Sequence, residues 1–185
     1  MGKLIVEAEV SLDCLSGGEN PDFWMKVFQY HSDDVTEYLN DLLAMPDALV
    51  MGRKTYEGFA EVWPSREGRE AERINPMPKY VASRTLQEPL SWNATLIKGD
   101  AAEEIGKLKQ QRDGHLLQYG VGELTRSMME AGLVDEIRLV VFPFIAGQGE
   151  RMFEGFDLTD LKLVGTTTFK SGAVAHHYLT VPGDA

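Results

Sequence analysis

Along most of this chain, runs of apolar residues with a period of two alternate with runs at helical spacing. That alternation constrains the fold more than any other feature of the sequence. Leu4, Val6, Ala8 and Val10 alternate with polar or differently facing neighbours, the period of a strand. From Ser32 the period lengthens: Val35, Leu39, Leu42 and Leu43 recur at helical spacing, with Ser32 or Asp33 as N-cap and Pro46 as the stop. A short buried strand is expected over residues 47–51, and a second helix over about residues 54–61, ended by Pro64. The charged stretch 65–78 carries two prolines and reads as a surface loop.

The pattern then resumes. Residues 79–82 and 94–98 read as strands, and Asp100 caps a helix with Ala102, Ile105 and Leu108 on its apolar side and Gly114 at its close. Residues 115–119 form another strand, followed by Gly120-Val121-Gly122 and a helix containing Leu124, Met128 and Met129 that Gly132 ends. Residues 137–142 are strand again. The last two strands, 161–169 and 173–181, are joined at Lys170-Ser171-Gly172 as a hairpin. The expected fold is therefore α/β: a mixed, mostly parallel central sheet flanked by helices, with an antiparallel C-terminal hairpin. With 185 residues, no internal repeat and no linker, one domain over residues 1–185 accounts for the chain.

Composition narrows the function classes. A formal net charge of −11 repels nucleic acid and anionic lipid, so neither is an expected partner. A small anion in a locally basic pocket remains compatible. The single cysteine, Cys14, allows no intramolecular disulfide and no cysteine-based zinc site. The charged N-terminal residues do not resemble a signal peptide, and no apolar run nears the roughly 20 residues of a membrane helix. A cytoplasmic location is the default expectation.

Ligands in such sheets lie beyond the carboxyl ends of the strands, which directs attention to the strand-to-helix junctions. At Met51-Gly52-Arg53-Lys54-Thr55 a strand stops, glycine removes the side chain, and a helix begins with two cations and a hydroxyl. Free N–H groups at a helix start attract phosphate, and the cations add to the field. A tight turn with a solvated helix face is the plainer reading of the same residues. Tyr119-Gly120-Val121-Gly122-Glu123-Leu124 repeats the design, and two such junctions favour a phosphate-bearing cofactor over two plain turns. At the end of the strand 79–82, Ser83, Arg84 and Thr85 could receive a further phosphate, or Arg84 could simply pair with surface carboxylates.

In their order along the chain these segments resemble the dihydrofolate-reductase-like superfamily, and in particular the reductase domain of bacterial riboflavin biosynthesis and its stand-alone relatives. The matching stretches include Val10-Ser11-Leu12-Asp13, Met51-Gly52-Arg53-Lys54-Thr55, Lys79 to Leu86, Tyr119 to Leu124, and Phe142-Pro143-Phe144 with Gly147 and Gly149. The resemblance implies NADPH lying across the strand ends. It places the pyrophosphate near Gly52, Arg53, Lys54 and Thr55 and the adenosine phosphate near Ser83, Arg84 and Thr85. Gly120, Val121, Gly122, Glu123 and Leu124 would then run beside the pyrophosphate and nicotinamide ribose. Asp13 would stand at the entrance to the substrate pocket, where it could orient or protonate a small heterocycle. A homodimer is implied as well, and residues 139–144 could supply an interface or form a central strand.

Cys14 departs from the family, which has glycine there; we read it as a small buried residue. The His-x-Glu and Pro-Cys-x-x-Cys pattern of the zinc deaminase is absent, so deamination is not expected of these residues. His176 and His177 are adjacent in a strand and point to opposite faces. Phe23, Trp24, Phe28 and Tyr30 form an aromatic group that could stack on a flat ring or belong to a partly buried loop. The leading expectation is hydride transfer from NADPH to a pterin-, folate- or aminouracil-like substrate. The alternative is a relative that keeps the fold and binds without turnover.

Overall fold

The computed structural model describes residues 2–18 and 20–181. The elements run β1 (Leu4–Ser11), β2 (Leu15–Ser16), α1 (Asp22–Phe28), α2 (Asp33–Leu43), β3 (Pro46–Gly52), α3 (Arg53–Val62), α4 (Arg69–Ile74) and β4 (Lys79–Ala82). They continue with β5 (Ala94–Ile97), α5 (Ala101–Gln111), β6 (His115–Tyr119), α6 (Glu123–Glu130), β7 (Glu136–Phe142), β8 (Glu150–Arg151), β9 (Leu161–Thr168) and β10 (Val174–Thr180). One sheet has the order β5-β4-β3-β6-β1-β7-β10-β9. Strands β5 to β7 in that order are parallel, and β10 pairs antiparallel with both β7 and β9. This is the mixed sheet with a terminal hairpin that the alternation requires.

Both faces of the parallel part are covered. Leu4, Val6, Val50 and Leu116 meet Ile105 of α5 and Met128 of α6 on one face. Ile5, Leu49, Met51 and Leu117 meet Leu42 and Leu43 of α2, Tyr56 of α3 and Ile74 of α4 on the other. Neighbours along one strand are thus buried in opposite directions, as a parallel sheet between two helical layers demands. Each fully buried Leu or Ile contributes roughly 1.5–3 kcal/mol of transfer free energy.

Several boundaries differ from the sequence reading. Helix α2 ends at Leu43, and Pro46 opens β3 instead of closing the helix, a strand-start position where its missing N–H costs little. The stretch 65–78 contains α4, whose Ala71 and Ile74 are buried one turn apart. Helix α5 ends at Gln111 because Arg112 turns extended; Gly114 lies against the Asp47 carboxylate, where a Cβ would not fit. Residues 139–142 lie in β7, an internal strand between β1 and β10, with Val140 and Phe142 in the core. Of the aromatic group, Phe23, Trp24 and Phe28 lie in helix α1, with Phe23 packed against Phe144, and Tyr30 follows the helix. Cys14 is exposed, not buried, and its φ of 57° explains why glycine suits that position.

The topology creates one special place. From β3 the chain crosses through α3 and α4 to β4, away from β6 in the sheet. From β6 it crosses through α6, on the other face, to β7 on the far side of β1. The chain therefore leaves two adjacent strands in opposite directions, and a crevice opens between their carboxyl ends.

Candidate active site

Gly52 and Gly120 flank this crevice. Register pairs Val50 with Gln118 across β3 and β6, and both chains bend two residues later. A Cβ on Gly120 would stand 3.6 Å from Thr55 Oγ1, so the start of α3 and the β6–α6 bend are in contact. Gly120 has φ 78°, a left-handed conformation that favours glycine. Gly52 and Gly122 have ordinary extended backbones, but no atom lies within 4 Å of where their Cβ atoms would be. Their bareness leaves open space in front of the helix starts, where first-turn N–H groups lack helical partners.

The bend is fixed from behind. Gly120 N–H donates to Glu7 O at 2.8 Å. Buried Thr125 receives hydrogen bonds at Oγ1 from Gln118 Nε2, at 2.5 Å, and from Gly122 N–H, at 3.2 Å. Sequence reasoning passed over Gln118 and Thr125; a glutamine within a buried strand and a threonine in the next helical turn were the available signal.

The third segment joins the same place. Ala82 pairs with Gly52, so Ser83, Arg84 and Thr85 follow the next strand end. Ser83 Oγ accepts from the Thr85 and Leu86 N–H groups, at 3.2 and 3.1 Å, which folds the turn. Arg84 reaches Glu123 at 3.6 Å, spanning the crevice to the start of α6. A cleft of about 730 Å³ opens beside that helix, lined among others by Val121, Gly122, Glu123, Arg126, Glu150 and Phe153. Leu124 turns inward, half-buried against the core below.

Two acidic side chains at the cleft pair with cations, Glu123 with Arg84 and Glu150 with Lys54, and at the far end of α6 Glu130 pairs with the cleft-lining Arg126. Arg53 pairs with Glu57 on its own helix at 3.7 Å. Exposed pairs of this kind contribute at most about 1 kcal/mol, so a phosphate could take over the cations at small cost. Backbone donors, open space and exchangeable cations fit the diphosphate of a dinucleotide. The residues that would hold it are Gly52 to Thr55 and Gly120 to Glu123, with Ser83 to Thr85 at the extra phosphate.

Asp13 follows β1 and is engaged by backbone. Its Oδ1 accepts from Ala146 N–H at 3.0 Å and its Oδ2 from Gly147 N–H at 2.9 Å. The Ser11 hydroxyl, then these N–H groups, lower its pKa to about 2. Such a carboxylate holds no proton to give at neutral pH; it clamps the loop that leads to β8. That loop returns as a two-stranded ribbon, Leu15 and Ser16 against Arg151 and Glu150, and overhangs the cleft. His176 and His177 stand apart from the crevice: one meets the Tyr178 hydroxyl at 3.1 Å, the other Glu136 at 2.9 Å.

The model of the RibD C-terminal domain family matches residues 2–175. The chain belongs to that family. It is 30% identical to YyaP of Bacillus subtilis (strain 168) over 178 residues, covering 93% of this chain and 92% of that protein. Among solved structures it superposes on a putative riboflavin biosynthesis protein from Shewanella sp. PV-4 with a TM-score of 0.72 and 19% identity, covering 97% and 99% of the two chains. Dihydrofolate reductase from Enterococcus faecalis, complexed with NADP(H) and RAB-propyl, gives a TM-score of 0.65 at 15% identity, with 98% of each chain covered. The fold is that of the dihydrofolate-reductase-like reductases.

Proposed function

We propose that this RibD C-terminal domain protein is an NADPH-dependent reductase of a small heterocycle, pterin-, folate- or phosphoribosylaminouracil-like. One observation carries the reading: the bends at Gly52 and Gly120 lie side by side at the switch point, with open space before Gly52 and Gly122 and the β6–α6 bend fixed from behind. NADPH would supply hydride to a carbon–nitrogen or carbon–oxygen double bond. The chain's own part is to present N–H groups to the diphosphate, to give Arg84 to the extra phosphate, and to shield the reacting ends under the Leu15–Ser16 ribbon. A homodimer goes with the family resemblance, and β9, exposed along its whole length, is the sheet edge available to it.

Fluorescence titration tests the cofactor. NADPH is expected to bind at least tenfold more tightly than NADH, and Arg84→Ala to remove most of that preference. Gly122→Val has room to fold but fills the cleft, so it should weaken both dinucleotides while thermal stability holds. Absence of binding of either dinucleotide overturns the reading. The engaged state of Asp13 favours a second reading, a relative that binds without turnover. NADPH binding with no oxidation by any pterin, dihydrofolate or aminouracil substrate would select it.

A further inference from the structure

The ribbon that overhangs the cleft is held together from within. Leu15 and Ser16 pair with Arg151 and Glu150, and Met152 N–H donates to Cys14 O at 3.0 Å. Asn20 Nδ2 donates to Gln148 O at 3.3 Å, and Asp13 holds the N–H groups of Ala146 and Gly147. These contacts join the two loops to each other and not to the helices across the crevice. At the root of the ribbon Leu15 and Met152 are buried, Met152 against Ala8 and Val10. Its outer strand, β8, is exposed at both residues.

The Glu150 carboxylate reaches out of the ribbon. It meets Nζ of Lys54, in the first turn of α3, at 2.5 Å. Backbone contacts fix where that side chain begins. A Cβ on Gly18 would stand 2.9 Å from the Glu150 N and Cγ atoms, and one on Gly149 would run into Ser16 O. Lys54 belongs to the segment that would grip a diphosphate. An anionic group therefore already stands on a cation where an anionic ligand is expected, and the element that covers the cleft carries it. Both partners are exposed, Lys54 at 76% and Glu150 at 52%, so water and ions reach the pair and exchange costs little. Glu154 lines the same cleft, and among the described residues no cation pairs with it.

We propose that Glu150 is a built-in competitor of the cofactor: its carboxylate holds Lys54 in place of the diphosphate, and a dinucleotide that takes Lys54 unties the ribbon from α3. This rests on the reductase reading, which supplies the dinucleotide. Without cofactor the ribbon is pinned across the crevice. Cofactor binding then comes first, and only afterwards is the ribbon free to move for a second ligand. The coupling is reciprocal: what the pair contributes to holding the ribbon it subtracts from cofactor affinity.

ADP tests the tie, because it brings a diphosphate without a nicotinamide half to touch the ribbon. In wild type, ADP is expected to speed hydrogen exchange of the amides at residues 15–16 and 150–152 about threefold or more. By calorimetry Glu150→Gln should bind ADP and NADPH about three- to tenfold more tightly, the scale of an exposed pair. It should also show the faster ribbon exchange with no ligand present. Glu154→Gln removes the same charge from the same cleft; it should keep wild-type exchange and gain less than about twofold in affinity. Unchanged melting temperatures show that both variants are folded. Four results each overturn the competitor and leave the reductase reading standing: ribbon exchange that neither ADP nor Glu150→Gln alters, unchanged nucleotide affinity in Glu150→Gln, equal effects of the two substitutions, or NADPH binding with ADP excluded. Failure of wild type to bind either nucleotide overturns the reading beneath it instead.

Discussion

Glu136 and Glu7 lie on neighbouring strands, share one face of the sheet and are 2% and 3% exposed, yet they are held in opposite states. Burial works against the Glu136 charge, but Lys3 at 2.6 Å and Arg138 at 2.8 Å overcome it and bring its pKa down to about 2. Among the described residues no cation pairs with Glu7, which is pushed the other way by burial and by Glu9. Depth alone therefore does not decide charge in this sheet; what the strand next door offers does. Glu136 is tied into the fold, whereas Glu7 is left with capacity to spare.

The largest consequence falls on Glu136. Glu136→Gln strands Lys3 and Arg138 around a neutral amide, and denaturant titration at pH 7 should show a loss of about 3 kcal/mol or more. Glu7→Gln removes no ion pair, so the same titration should show no loss greater than about 1 kcal/mol. Equal losses would abolish the distinction between them.

Acid behaviour sharpens it. Glu136 has a folded pKa below its unfolded one, so its stabilisation is full above about 4.5 and is lost as pH falls towards 2. Glu7 has a raised folded pKa, so the fold favours its protonated form and stability declines as pH rises from about 4.5 towards neutrality. Melting temperatures across this range should lose the acid-side fall in Glu136→Gln and the neutral-side decline in Glu7→Gln. A smaller effect is expected at the ribbon, where Cys14→Gly relieves a left-handed cysteine and should stabilise by about 1 kcal/mol or less.

The alternation of periods made most strands and four of the helices legible, because a parallel sheet between two helical layers imposes both periods at once. The junction glycines were legible for a related reason: only bare backbone follows a strand so abruptly into a helix. Helix α4 was hidden because two apolar residues, Ala71 and Ile74, do not establish a period in a charged stretch. Strands β2 and β8 are two residues each and have no pattern to read. Glu7 and Glu9 were hidden by the alternation itself. In a two-period strand, polar positions read as solvent-facing, but here both faces of β1 are covered and the acids lie inside.

The Gln118–Thr125 lattice behind the β6–α6 bend bears on when the molecule meets the entropic cost of order. With the turn immobilised by its own side chains, that cost falls during folding, and an arriving diphosphate finds a surface already shaped for it. Rigidity in the interior thereby becomes affinity at the rim.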